Sequence, residues 1–105
     1  MQAITSLEEF NNLLAINDKV VVDFWATWCR PCLSFAPMFE AVASNDKNNV
    51  VFVKVDVDQN GDISQAYGIR SIPTVIYFKN AKEANRTTGL LSEEAFADAV
   101  TNNLK

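Results

Sequence analysis

Histidine is absent from this chain of 105 residues, and cysteine occurs only twice, as Cys29 and Cys32. Without an imidazole there is no base for a cysteine–histidine nucleophile, so that class of covalent catalysis is excluded. Two cysteines make half of a zinc site, and no further cysteine or histidine exists to complete it within one chain. Cations are also in short supply: nine Lys and Arg against thirteen Asp and Glu leave a net charge of −4. Nucleic acid needs a basic face that this composition does not offer, and no basic run invites an anionic membrane. No apolar stretch approaches the length of a membrane span. Glycine and proline occur three times each and form no cluster that could serve as a linker.

What is present is the balance of a folded domain, with 49% apolar and 21% charged residues. At this length the chain can bury one core but not two, so residues 1–105 are read as a single domain. The start, "MQAITSLEEFNN", has no basic segment followed by an apolar one, and the expectation is a cytoplasmic protein without a secretory leader.

Strands and helices alternate along the chain. "QAIT" reads as a short edge strand. "SLEEFNNLLAI" reads as a helix, opened by the Ser6/Glu9 capping-box pattern, with Leu7, Phe10, Leu13 and Leu14 at helical spacing. "KVVVDFW" is apolar on both faces and suggests the middle of a parallel sheet. "PCLSFAPMFEAVASN" is a helix with Phe35, Met38, Phe39 and Val42 on one side, and Pro37 inside it should kink it. In "VVFVKVDV" the residues Val51, Val53, Val55 and Val57 face one way, and Phe52, Lys54 and Asp56 the other. "DISQAY" is a short helix ended by Gly68. "PTVIYFK" and the hairpin "KNAKEANRTTG" follow, and "SEEAFADAVTNNL" closes the chain as a helix capped by Ser92. The order βαβαβαββα predicts an α/β fold with a central mixed β-sheet and helices on both faces.

The cysteines stand where the strand "KVVVDFW" gives way to a helix, at the carboxyl end that open α/β sheets use for chemistry. Pro31 suits the first helical turn, where its missing N–H costs nothing. Cys29 then sits at the N-cap, beside free N–H groups and the positive dipole end, which favour thiolate over thiol. Cys32 lies one turn on and more buried. Three helical residues place their Cα atoms about 5 Å apart, a span a disulfide tolerates, so the pair can open and close with little backbone movement. With a structural zinc site within one chain disfavoured and a cysteine–histidine enzyme excluded, thiol–disulfide exchange is the chemistry that remains. A secreted scaffold held by one disulfide is the bland alternative, but such scaffolds carry more cysteines.

The blocks "VDFWATWC-x-PC", "VKVDVDQN", "YGIRSIPT" and the late Gly89 resemble the thioredoxin family in order and spacing, over essentially the whole chain. The resemblance implies the thioredoxin fold and a protein-disulfide reductase. In it Cys29 attacks a substrate disulfide, Cys32 resolves the mixed disulfide, and the Cys29–Cys32 disulfide is reduced again by NADPH-dependent thioredoxin reductase. It implies no bound cofactor and no metal. The partners would be that reductase and disulfide-containing proteins, the working form a monomer, with neither nucleic acid nor membrane involved.

The family pattern also gives Asp23 the role of proton acceptor and donor for Cys32, with Lys54 as its partner. A carboxylate among apolar side chains has its charged form disfavoured, and the lysine would pull the other way. On position alone, an exposed Asp23 ending its strand and a solvated Lys54 are equally good readings. Trp28, Ile72, Pro73 and Gly89 would form the apolar groove for a substrate strand, with the Ile72–Pro73 bond cis. Trp25, still within the strand, is read as core.

The chain departs from the family pattern at Arg30 (usually glycine), at Leu33 (often lysine) and at Ala81 (often glycine). Arg30 and Pro31 lie where the redox potential is tuned. Alternatives that the sequence leaves open are an oxidase or isomerase of the same fold, and a binding module that uses the surface around Trp28 without turnover.

Overall fold

The computed structural model describes residues 2–105. Strand β1 (Gln2–Ala3) leads through a short turn into α1 (Leu7–Ile16). The Ser6 side chain caps this helix, accepting from the Glu9 N–H at 3.1 Å. The reciprocal half of the box is displaced by one residue: the Glu9 carboxylate accepts from the Thr5 N–H at 2.7 Å. Strand β2 (Lys19–Trp25) follows, then α2 (Arg30–Asn45), β3 (Val51–Asp56), α3 (Gly61–Ala66), the hairpin β4 (Thr74–Lys79) and β5 (Lys82–Thr88), and finally α4 (Glu93–Asn103).

The five strands form one sheet in the order β1-β3-β2-β4-β5. β2 lies at its centre, as its two apolar faces suggest, but it pairs in parallel with β3 and antiparallel with β4. An apolar run on both faces specifies burial and not the direction of the neighbour, so the expectation of a purely parallel environment is corrected.

Alternation along the strands divides the core into two layers. Val20, Val22, Phe24, Val53 and Val55 face α1 and α3, where Phe10, Leu13, Leu14 and Ile63 meet them. Val21, Phe52, Val75 and Tyr77 face α2 and α4, against Phe35, Phe39, Phe96 and Val100. Phe39 stacks on Phe96 and Phe35 meets it edge-on at 5.1 Å, so α2 and α4 lock together over the sheet. Each of these buried side chains contributes roughly 1.5–3 kcal/mol through loss of contact with water.

Helix α2 runs unbroken through Pro37. Proline still removes the bond to the Leu33 carbonyl. Both residues are exposed, which leaves that carbonyl open to water.

The hairpin turn holds both Asn80 and Ala81 at positive φ, +53° and +67°. A two-residue hairpin of the twist-compatible kind requires this, and glycine is the usual second residue. Ala81 bears a Cβ in a conformation that costs an L-residue roughly 1–2 kcal/mol, partly offset by its stiffer unfolded chain. Ala81→Gly is therefore expected to raise the thermal midpoint by a few degrees, equivalent to about 0.5–1 kcal/mol. A calorimetric midpoint that stays level or falls would show that the turn carries no such strain.

Candidate active site

After Trp25 the chain leaves the sheet, and the Cys29 N–H returns to the Ala26 carbonyl at 3.2 Å. Cys29 is the N-cap of α2, in an extended conformation, with Arg30 and Pro31 as the first two helical residues. Its sulfur accepts from the Cys32 N–H at 3.2 Å, and its carbonyl accepts from the Leu33 N–H at 3.1 Å. The cap thus aims an unpaired backbone donor of the helix at the sulfur, the environment that lowers a thiol's pKa. Cys29 and Cys32 are joined as a disulfide, with Cα atoms 5.2 Å apart.

Both cysteines are buried, Cys29 only 4% exposed and Cys32 2%. The expected contrast between an open and a covered thiol is absent in this oxidised state. An N-cap position suggests solvent, but side chains from other parts of the chain cover Cys29. It packs with Ala26, Trp25, Val57 and Ile72, and its sulfur lies 3.8 Å from the Ile72 carbonyl oxygen.

Ile72 opens the opposite wall. The Ile72–Pro73 bond is cis, Pro73 is buried, and its carbonyl accepts from the Gly89 N–H at 2.8 Å. Gly89 has φ +95°, a conformation that disfavours any side chain there. The Thr74 hydroxyl donates to the Ser71 carbonyl at 2.6 Å and fixes the turn before β4. Trp28 is 69% exposed, yet its indole N–H donates to the Asp58 carboxylate at 2.8 Å, which holds the ring against the loop after β3. Trp28 and Ile72 share a cleft of about 220 Å³ with Val57, Ser64, Ile69 and Arg70. A larger cleft, about 760 Å³, lies along α1 and contains none of the cysteine or groove residues, so volume does not locate this site.

Asp23 is fully buried, and neither carboxylate oxygen has a hydrogen-bond partner. It shares the α2-facing side of β2 with Val21, which packs under Phe35 and Phe39, and with Trp25, which packs on the cysteines. Asp23 therefore lies beneath the first turns of α2, between those two contacts. Burial pushes its carboxyl up from 3.8 to about 7, against the opposing pull of Lys54. Lys54 is its register partner on β3, but the two form no ion pair, and the ammonium lies over the Trp25 ring, 4.6 Å from its centroid.

Of the residues expected from sequence, the cysteines, Pro31, Trp28, Ile72, Pro73 and Gly89 gather at one end of the sheet, with Asp23 and Lys54 beneath. Arg30 is exposed and forms no ion pair among the described residues. Sequence reasoning missed Asp58, which reads as one more solvated acid; Trp25, read as core, is half-buried and packs on the cluster that holds the cysteines. Alternation along β2 places Trp25 on the same α2-facing side as Asp23.

A model of the family described as Thioredoxin matches residues 2–102. The chain belongs to the thioredoxin family. It is 53% identical over 91 residues to the thioredoxin of Mycoplasmoides gallisepticum, covering 87% of this chain and 90% of that one. A solved structure of Plasmodium falciparum thioredoxin superposes with a TM-score of 0.91 at 31% identity, covering 97% and 98% of the two chains. A bifunctional thioredoxin reductase/thioredoxin of Mycobacterium leprae is 38% identical over 92 residues, which are 88% of this chain and 20% of that protein. As a thioredoxin-family member, the protein is a dithiol–disulfide oxidoreductase, a protein-disulfide reductase whose redox-active pair is Cys29–Cys32. Among the described residues, no helix is long and apolar enough to cross a membrane.

Proposed function

We propose that the protein works as a cytoplasmic, monomeric single-domain reductase of protein disulfides, recharged by an NADPH-dependent thioredoxin reductase. The Cys29 thiolate attacks one sulfur of a substrate disulfide and expels the other as thiolate. Cys32 gives its proton to the Asp23 carboxylate and attacks the Cys29 sulfur. The second substrate thiolate leaves, and the two electrons of the dithiol have passed to the substrate. A carboxyl with pKa about 7 has both forms populated near neutral pH, so it can take the proton in one direction and return it in the other. Lys54 limits how far burial raises that pKa.

The observation that carries this reading is the Cys29–Cys32 disulfide at the start of α2, facing the Ile72–Pro73 turn beside exposed Trp28. Trp28, Ile72, Pro73 and Gly89 would receive a substrate strand largely through backbone contacts, which give affinity with little choice of sequence. The Mycobacterium leprae relative, with reductase and thioredoxin named in one chain, supports the choice of electron donor. A cytoplasmic setting fits because a reductase must be held in its dithiol form.

Insulin reduction driven by NADPH and thioredoxin reductase should turn over many times, while glutathione should support it poorly. Preference for glutathione would defeat the choice of donor. Arg30 tunes the potential in this scheme: its charge favours the Cys29 thiolate and hence the reduced form. Arg30→Gly should make the pair more reducing by about 10–20 mV, the order expected of one screened charge. An unchanged potential would remove Arg30 from the mechanism.

A further inference from the structure

Asp23 and Lys54 face each other across the β2–β3 ladder, on the side of the sheet covered by α2. Opposite charges in such positions ordinarily attract. Here they do not close: the carboxylate oxygens have no hydrogen-bond partner, and Arg86–Glu83 is the only salt bridge among the described residues. The Lys54 ammonium instead lies 4.6 Å from the centroid of the Trp25 ring, within the reach of a cation–π contact. Trp25 stands two residues after Asp23 on the same face of β2, and its body packs on the cysteine pair. Ring and carboxylate therefore compete for a single ammonium.

We propose that Trp25 is a positioning residue that holds the Lys54 ammonium over its indole face and off the Asp23 carboxylate, and so sets the pH range in which Asp23 exchanges a proton. This rests on the role of Asp23 proposed above. Were the ammonium released to the carboxylate, it would favour the charged form, and Asp23 would lose its proton at lower pH. The other titratable groups on this face are Asp56 of β3, Tyr77 of β4, and Lys19 and Lys79, which pair at the far end of β2 and β4; Cys29 and Cys32, joined as a disulfide, do not titrate. The Asp56 carboxylate is engaged by the N–H groups of Asp58 and Gln59, and Tyr77 is neutral, its pKa pushed up by burial. Helix α4 turns Phe96 and Val100 to the face and keeps Glu93, Glu94 and Asp98 in solvent.

The test follows the Asp23 side-chain carboxyl carbon by NMR as a function of pH, in the oxidised full chain labelled at aspartate. Trp25→Leu should lower the midpoint by roughly one pH unit, a tenfold weaker hold on the proton, and Trp25→Phe by less. Lys54→Met should raise it, because the lysine charge is gone. In the Lys54→Met background, Trp25→Leu should leave the midpoint in place. An equal fall with and without Lys54 would mean that Trp25 acts by keeping water out, and the proposal would be wrong. No fall in either background would overturn it as well. If Trp25→Leu does not fold, Trp25→Phe in the two backgrounds carries the same comparison. A titration that moves while the pH profile of insulin reduction stays fixed would instead count against Asp23 as the proton carrier.

Discussion

Asp23→Ala is expected to make the fold more stable above neutral pH, by on the order of 2–4 kcal/mol, while slowing disulfide reduction. The folded protein holds the Asp23 proton up to about 7, whereas the unfolded chain releases it near 3.8. Between those values the folded form binds more protons than the unfolded form. The stability associated with the neutral carboxyl is therefore complete below 3.8, declines as pH rises, and is gone above about 7. Alanine carries no such penalty, so its advantage should widen with pH, reduced somewhat by the space the carboxyl leaves. Chemical denaturation at pH 5 and pH 8 provides the check. An advantage of the same size at both would show that a charged, buried Asp23 is not what destabilises the protein.

Cys32→Ser should abolish turnover and leave the protein covalently joined to its substrate. The N-cap sulfur of Cys29 has the nearest backbone donor and the helix dipole, while Cys32 lies a turn inside, with its own N–H directed at Cys29. The first attack should survive the substitution, and the second cannot occur. Mass spectrometry should find a stoichiometric mixed disulfide on Cys32→Ser and none on Cys29→Ser. The reverse pattern would exchange the two roles, and sustained turnover by either variant would break the two-thiol scheme.

The sequence carried these expectations unevenly. Period-two alternation in "VVFVKVDV" sorted Val53 and Val55 from Phe52 and Lys54 correctly, because a strand between two apolar layers has no freedom to misplace a face. The cap at Cys29 was legible from Pro31 and the end of the apolar run. Pairing direction around β2 was not, since both neighbours demand the same burial. The cover over Cys29 comes from Val57 and Ile72, residues distant in sequence that nothing local announces. The same holds for Trp28 and Asp58, thirty positions apart and joined by one hydrogen bond. For Asp23 the residues alone left burial and exposure level. The structure decides for burial, and the same geometry shows that Lys54 acts from a distance without closing an ion pair.

The bond from Gly89 to the Pro73 carbonyl joins the chain just past the last strand to the turn facing the disulfide. Every part of the groove thus comes from a different stretch of chain, brought together by β2 pairing with β3 and β4, and β4 with β5. Cys29 and Cys32 would remain neighbours in any unfolded or half-folded chain, still able to react as ordinary thiols. What such a chain would lack is the wall formed by Ile72, Pro73 and Gly89, the proposed seat of a substrate strand. The wall beside the disulfide is thus a cooperative property of the whole sheet, gained or lost with the fold, while the cysteine pair itself belongs to four consecutive residues.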